Sequence, residues 1–126
     1  MAVDADVIAR VRRMVAEQDN AAPWDDATIA AYIERYALRD AAGVLPGEDG
    51  WTPTYDLHAA ARDIWNDKAA MLASEFDVGV DGTTARRSQR FEQARRMAAY
   101  YGARAAARVV AVTRAEDAAD VLPGEV

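Results

Sequence analysis

The 126-residue chain contains no cysteine and a single histidine, His58. Without cysteine there are no disulfides and no thiolate metal sites, and the fold needs no oxidising compartment. With one histidine there is no multi-histidine metal centre within a chain. Long apolar runs are also missing. None approaches the roughly 20 residues of a membrane span, and Met1 is followed by acids and a basic amphipathic segment rather than a signal-peptide core. A soluble, intracellular chain is expected. Alternating runs of β-branched residues are absent too, which argues against a sheet. No glycine-rich phosphate loop, nucleophile elbow or HExxH sequence occurs, so neither enzyme activity nor a cofactor is expected.

Alanine is abundant, about a quarter of all residues. It is the best helix former, and the expected fold is all-α: a small bundle of four main helices with a long C-terminal helix and an extended C-terminal arm. The net charge is −6, but it is unevenly spread. Between Arg86 and Arg108 seven arginines face one acid, Glu92, so this segment carries +6 and the remainder −12. So acidic a chain is a poor general binder of nucleic acid, whose affinity for proteins rests largely on phosphate attraction. One basic helix on an acidic body suits a polar interface between subunits.

Periodicity predicts four helices. The first runs from about Asp4 to Gln18, with Val7, Ile8, Val11, Met14 and Val15 on one face, and Asp4 or Asp6 at its start. The second spans about Asp26 to Asp40, with Ile29, Tyr32, Ile33 and Tyr36 as its stripe. Asp25 is its expected N-cap and Trp24 the outer half of a hydrophobic staple. A long loop, 41–54, follows and is expected to contact something.

The third helix begins near Thr54 or Tyr55 and ends about Phe76. Its stripe is Leu57, Ala60, Ala61, Ile64, Trp65, Lys68, Met71 and Leu72. A turn over 77–84 leads into the fourth helix, expected to reach Val112 with a narrow seam of Phe91, Ala94, Ala98, Tyr101, Ala105, Val109 and Val112. Gly102 lies beside that seam, which permits a close helix approach. This divides the chain into a helical domain, 1–112, and an acidic C-terminal arm, 113–126. The segment AAGVLPGE at 41–48 returns as AADVLPGE at 118–125, too little for a repeat architecture.

Few residues suggest chemistry. His58, in the first turn of the third helix, reads as a partly exposed structural histidine. Asp77, Asp81 and Gly82 only faintly resemble a calcium loop, which requires acids at alternate positions and a bidentate Glu at its end, whereas Val78, Gly79 and Val80 occupy the intervening places. Asp56, Asp63 and Asp67 share one side of the third helix and are expected on a solvated face. Lys68 is the anomaly, since it interrupts an apolar face. Either its ammonium snorkels to the edge, or it pairs in a desolvated setting with a carboxylate of another helix or subunit, such as Glu92. The arginine flank of the fourth helix, with Arg86, Arg90, Arg104 and Arg108, is open to three readings: a solvated face, an intersubunit salt-bridge face, or a DNA contact.

In order and spacing, Trp51-Thr-Pro-Thr-Tyr55-Asp56-Leu57, Ala59-Ala60-Ala61, Ile64-Trp65, Lys68-Ala69, Phe76-Asp77, Asp81-Gly82 and Arg87-Ser88-Gln89 form a pattern that resembles the head-tail adaptor (head-completion or connector) proteins of long-tailed phages and gene-transfer agents. The resemblance covers roughly residues 25–104. Val78-Gly79-Val80 and Thr83-Thr84-Ala85 depart from the Ser-rich and aromatic turn of that family.

The resemblance implies a virion protein of the neck, assembled in the host cytoplasm. It would form a ring of copies, commonly twelve, beneath the portal protein, extending the DNA channel and offering a platform for stopper or tail-completion proteins. DNA would pass through the lumen without specific binding. Trp51, Asp56, Trp65, Lys68 and the four flank arginines would serve packing and subunit contacts. The arm, with Val121, Leu122 and Pro123, would dock on the portal. The alternative is a small helical DNA-binding regulator or DNA-packaging subunit that uses the arginine-rich helix.

Overall fold

The computed structural model describes residues 3–76 and 84–105, with only the backbone described at 75–76 and 84–87. The described residues are all-α. They form α1 (Ala5–Val15), α2 (Asp26–Glu34), α3 (Leu57–Phe76) and α4 (Thr84–Arg104), with no strand and two isolated bridges, Ala21 with Trp24 and Ala37 with Tyr55. The turn over 77–83, with its faint calcium-loop pattern, lies outside the described residues. So do Arg108, the expected continuation of α4 to Val112, and the whole arm with Val121, Leu122 and Pro123.

The ends of α1 and α2 follow from identifiable hydrogen bonds. α1 ends at Val15, three residues before the expected Gln18. There Ala16 takes a left-handed conformation (φ 61°), and the Arg12 carbonyl accepts the Glu17 N–H at 3.1 Å, a closure that satisfies an otherwise orphaned end carbonyl. α2 starts as expected: the Asp25 carboxylate accepts the Thr28 N–H at 3.0 Å.

α2 ends at Glu34 instead of Asp40, because the next residues pair with the strand-like approach to α3. The Tyr36 carbonyl accepts the Asp56 N–H at 2.9 Å, and Leu38 N–H donates to the Thr54 carbonyl at 2.7 Å. Extended backbone there is incompatible with helix. α3 consequently starts at Leu57, two or three residues later than expected, with the Asp56 carboxylate accepting the Ala59 N–H at 3.2 Å.

The core is the meeting of the predicted stripes. Val11 and Val15 of α1, Ile29 and Ile33 of α2, and Ala60, Ala61 and Ile64 of α3 are fully buried, and Ala94 and Ala98 of α4 join them. α1 and α2 each pack on α3 and on one another, while α4 packs along α3. Tyr101 stacks on His58 and Gly102 lies over Arg62, whereas Phe91 lies near Ala69 and Ala70; α4 therefore runs antiparallel to α3. The small residues of the seam set the approach. A Cβ on Gly102 would stand 3.3 Å from Cδ of Arg62. Met71 departs from its predicted place in the stripe, being 45% exposed at the far end of α3.

Candidate functional site

Lys68 lies on the inner face of α3, opposite the C-terminus of α1. Its Nζ donates to the Val15 carbonyl at 2.7 Å and pairs with Glu17 Oε2 at 2.7 Å. It also lies 4.3 Å from the ring centre of Trp65, whose indole Nε1 donates to the Met14 carbonyl at 3.0 Å. Two side chains of α3 thus cap the last turn of α1, where the helix dipole favours a cation. The Lys68 side chain is 16% exposed, so of the two readings the paired one holds. Its partner is Glu17 rather than Glu92, which is exposed on α4. Glu17 reaches it because α1 stops early and turns the chain back across α3.

Arg12 completes this corner and was not legible as a partner in the sequence. Buried on α1, it donates to the carbonyls of Glu17 (3.1 Å) and Asp19 (2.8 Å) and pairs with Asp26 at 2.6 Å. Asp26 in turn donates its N–H to Asn20 Oδ1 at 2.9 Å. A hint existed: Arg12 follows Ile8 by four residues, on the apolar face.

The carboxylate row of α3 is only in part on a solvated face: Asp67 is exposed as expected, whereas Asp63 is half-buried and Asp56 buried. Asp56 is buried as the helix cap; Asp63 accepts from Tyr36 Oη at 2.5 Å and from Arg62 Nε at 3.1 Å; and Asp67 accepts the Tyr32 hydroxyl. Tyr32 of α2 and Tyr36, just past its end, lie over that side of α3 and engage Asp67 and Asp63. Burial, then the Asp67 bond and charge, pushes Tyr32 up to about 12, and burial followed by Asp63 raises Tyr36. This is a structural network: it keeps the phenols protonated, the opposite of what a general base needs.

The 41–54 loop is organised from inside by Asp40, another residue without a sequence-based expectation. Its carboxylate accepts the N–H groups of Ala42 (2.9 Å), Val44 (2.8 Å) and Thr52 (2.8 Å). These backbone bonds, Thr52's and Val44's foremost, hold its carboxyl below the usual carboxylate range. An Asp before Ala-Ala-Gly is a turn signal, with Gly43 at φ 86°. Trp51 closes the loop, its Nε1 donating to the Leu38 carbonyl at 2.9 Å while its ring stands edge-on to Tyr55 at 5.8 Å. Beside it lies a small open cleft of ≈ 260 Å³ lined by Glu34, Ala37, Pro46, Gly47, Trp51 and Tyr55.

On the flank of α4, Arg90 and Arg104 are exposed, and the Arg86 side chain lies outside the described residues. Arg104 lies 3.6 Å from the ring centre of Tyr100, and its Nη1 donates to the Tyr100 carbonyl at 3.0 Å. There α4, α1 and the start of α3 line an open cleft of ≈ 450 Å³ formed by Arg10, Arg13, Met14, His58, Tyr100, Tyr101 and Arg104. Among the described residues no carboxylate pairs with Arg10, Arg13 or Arg104. His58 is indeed exposed, stacked on Tyr101 at 5.9 Å.

The predicted interface residues therefore fall into separate places. Trp65 and Lys68 sit together at the α1 corner, Asp56 caps α3, Trp51 closes the loop, and Arg104 joins, with Tyr100 and Tyr101 of α4, a basic cleft completed by residues of α1 and by His58 of α3. Among the described residues no group of His, Asp or Glu is placed to hold a metal, and no helix is long and apolar enough to cross a membrane. Comparison of the chain with protein-family models, curated proteins and solved structures finds none that matches, so function is argued from these contacts.

Proposed function

We propose that the chain is a non-enzymatic structural adaptor that forms a ring beneath a phage portal, joins head to tail and extends the DNA channel. In this reading the four helices form a small bundle over residues 1–112, and residues 113–126 are the arm that meets the portal through Val121, Leu122 and Pro123. The ring, of about twelve copies by resemblance, presents a platform for a stopper or tail-completion protein. The observation that carries the reading is the distribution of charge. Among the described residues every buried side-chain polar atom has a hydrogen-bond partner, while Arg10, Arg13 and Arg104 gather at one surface of an acidic protein and form no salt bridge with a described carboxylate. Unlike-charged faces on one protomer favour head-to-tail contact, the kind that closes into rings. Overall acidity lets DNA pass without adhering.

Mixing the purified protein with portal rings, followed by negative-stain imaging, tests this. A ring of added density on the portal is expected; a protein that never binds portal overturns the reading. The exposed arginines of α4 also favour a second reading, a DNA-binding regulator or packaging subunit. That reading predicts duplex binding that falls steeply with salt, and absence of any mobility shift at low salt removes it.

A further inference from the structure

Two surface clefts of this chain have complementary chemistry. The first holds Arg10, Arg13 and Arg104 around His58, Tyr100 and Tyr101. Tyr100 projects from it, 47% exposed, with the Arg104 guanidinium stacked on its ring. The second has an apolar floor of Ala37, Pro46, Trp51 and Tyr55 and is bordered by Glu34. Glu48 and Asp49, directly after its lining residue Gly47, are exposed, as is Leu45 at 41%. The two clefts share no residue. One offers aromatic and guanidinium groups, the other an aromatic trough with carboxylates at its edge. Tyrosine, tryptophan and arginine are the side chains that most often carry interface energy. Each cleft is built on held backbone: α1 and α4 for the first, the Asp40-organised loop for the second. Little ordering is therefore needed on contact.

We propose that the basic cleft of one copy seats against the acidic cleft of the next, with Tyr100 and Arg104 entering the Trp51–Tyr55 trough and Arg10 and Arg13 facing Glu48 and Asp49. The occupant is a second copy of this chain because the same molecule carries both halves, as a head-to-tail contact requires. The proposal deepens the adaptor reading and rests on it for the ring, but the contact is testable on the free protein.

The test uses two variants on the exposed faces, Arg10→Glu with Arg13→Glu, and Glu48→Lys with Asp49→Lys. Self-association is followed by sedimentation up to millimolar protein. The wild type is expected to associate, and each variant alone to do so at least about tenfold more weakly. An equimolar mixture should associate again, since every cleft then meets one of opposite sign; a variant that had merely lost its fold would not be rescued. A wild type that stays monomeric, reversals without effect, or a mixture that fails to recover each overturns the proposal. Rescue without portal binding would keep this contact and remove the adaptor reading. Portal rings decorated equally by all variants would do the reverse.

Discussion

The Lys68 ammonium sits 2.7 Å from the carboxylate of Glu17 and donates at 2.7 Å to the carbonyl of Val15, so one cation of α3 closes the end of α1. The cationic tip replaces water at the orphaned carbonyls, while the stem remains among apolar neighbours. This contact, together with the Trp65 bond to Met14, fixes how α1 lies on α3, while Arg12 ties α1 to Asp26 at the start of α2.

The corner should be sensitive to the loss of either charge. Lys68→Ala is expected to cost about 2–3 kcal/mol, because it strands Glu17 and the Val15 carbonyl in a partly desolvated place. Glu17→Gln, more exposed, should cost less, about 1 kcal/mol. Denaturant unfolding of the single and double variants measures this. Strictly additive losses would show that the pair does not act as a unit.

Acid should loosen the loop through Asp40. Its folded carboxyl lies below the unfolded value of about 3.9. Its contribution is therefore complete above pH about 4 and is lost as pH falls through the depressed folded value. Asp40→Asn removes most of that dependence and lowers stability at neutral pH. Wild type and variant should converge in acid, as read by Trp51 fluorescence and thermal unfolding between neutral pH and pH about 3. Equal pH profiles would refute it.

Alkali acts through Tyr32. Its folded pKa of about 12 exceeds the ordinary 10, so the protonated phenol favours the fold below pH 10 and the benefit is lost as pH rises through 12. Spectroscopic titration should find a tyrosine that ionises last, near pH 12, and Tyr32→Phe should remove that step. Asp67→Asn should lower that late transition, since the carboxylate's bond and charge oppose ionisation. An unchanged transition in Asp67→Asn would contradict the pairing.

The α3–α4 seam should tolerate one methyl and resist a larger group. Gly102→Ala meets only the flexible Arg62 side chain at 3.3 Å and gains helix propensity, so a change within about 1 kcal/mol is expected. Ala98→Leu, in a buried position against α3, should cost about 1–3 kcal/mol by overpacking. Thermal unfolding compares them; equal effects would mean that the seam is loose.

The four helices, their apolar stripes apart from Met71, the Asp25 cap, the small-residue seam of α4 and the singularity of Lys68 are all legible in the order of residues. These depend on spacing within one segment, where period and propensity suffice. Packing sets where α1 and α2 end, which carboxylate meets Lys68, and that Asp56 is engaged by the backbone and Asp63 and Asp67 by Tyr36 and Tyr32. It also gathered Arg10 and Arg13 with His58, Tyr100, Tyr101 and Arg104. Such groupings join residues far apart in the chain, and what brings them together is how the stripes stack, which no local pattern contains. A charge that looks solvated along its own helix becomes a partner once another helix covers it.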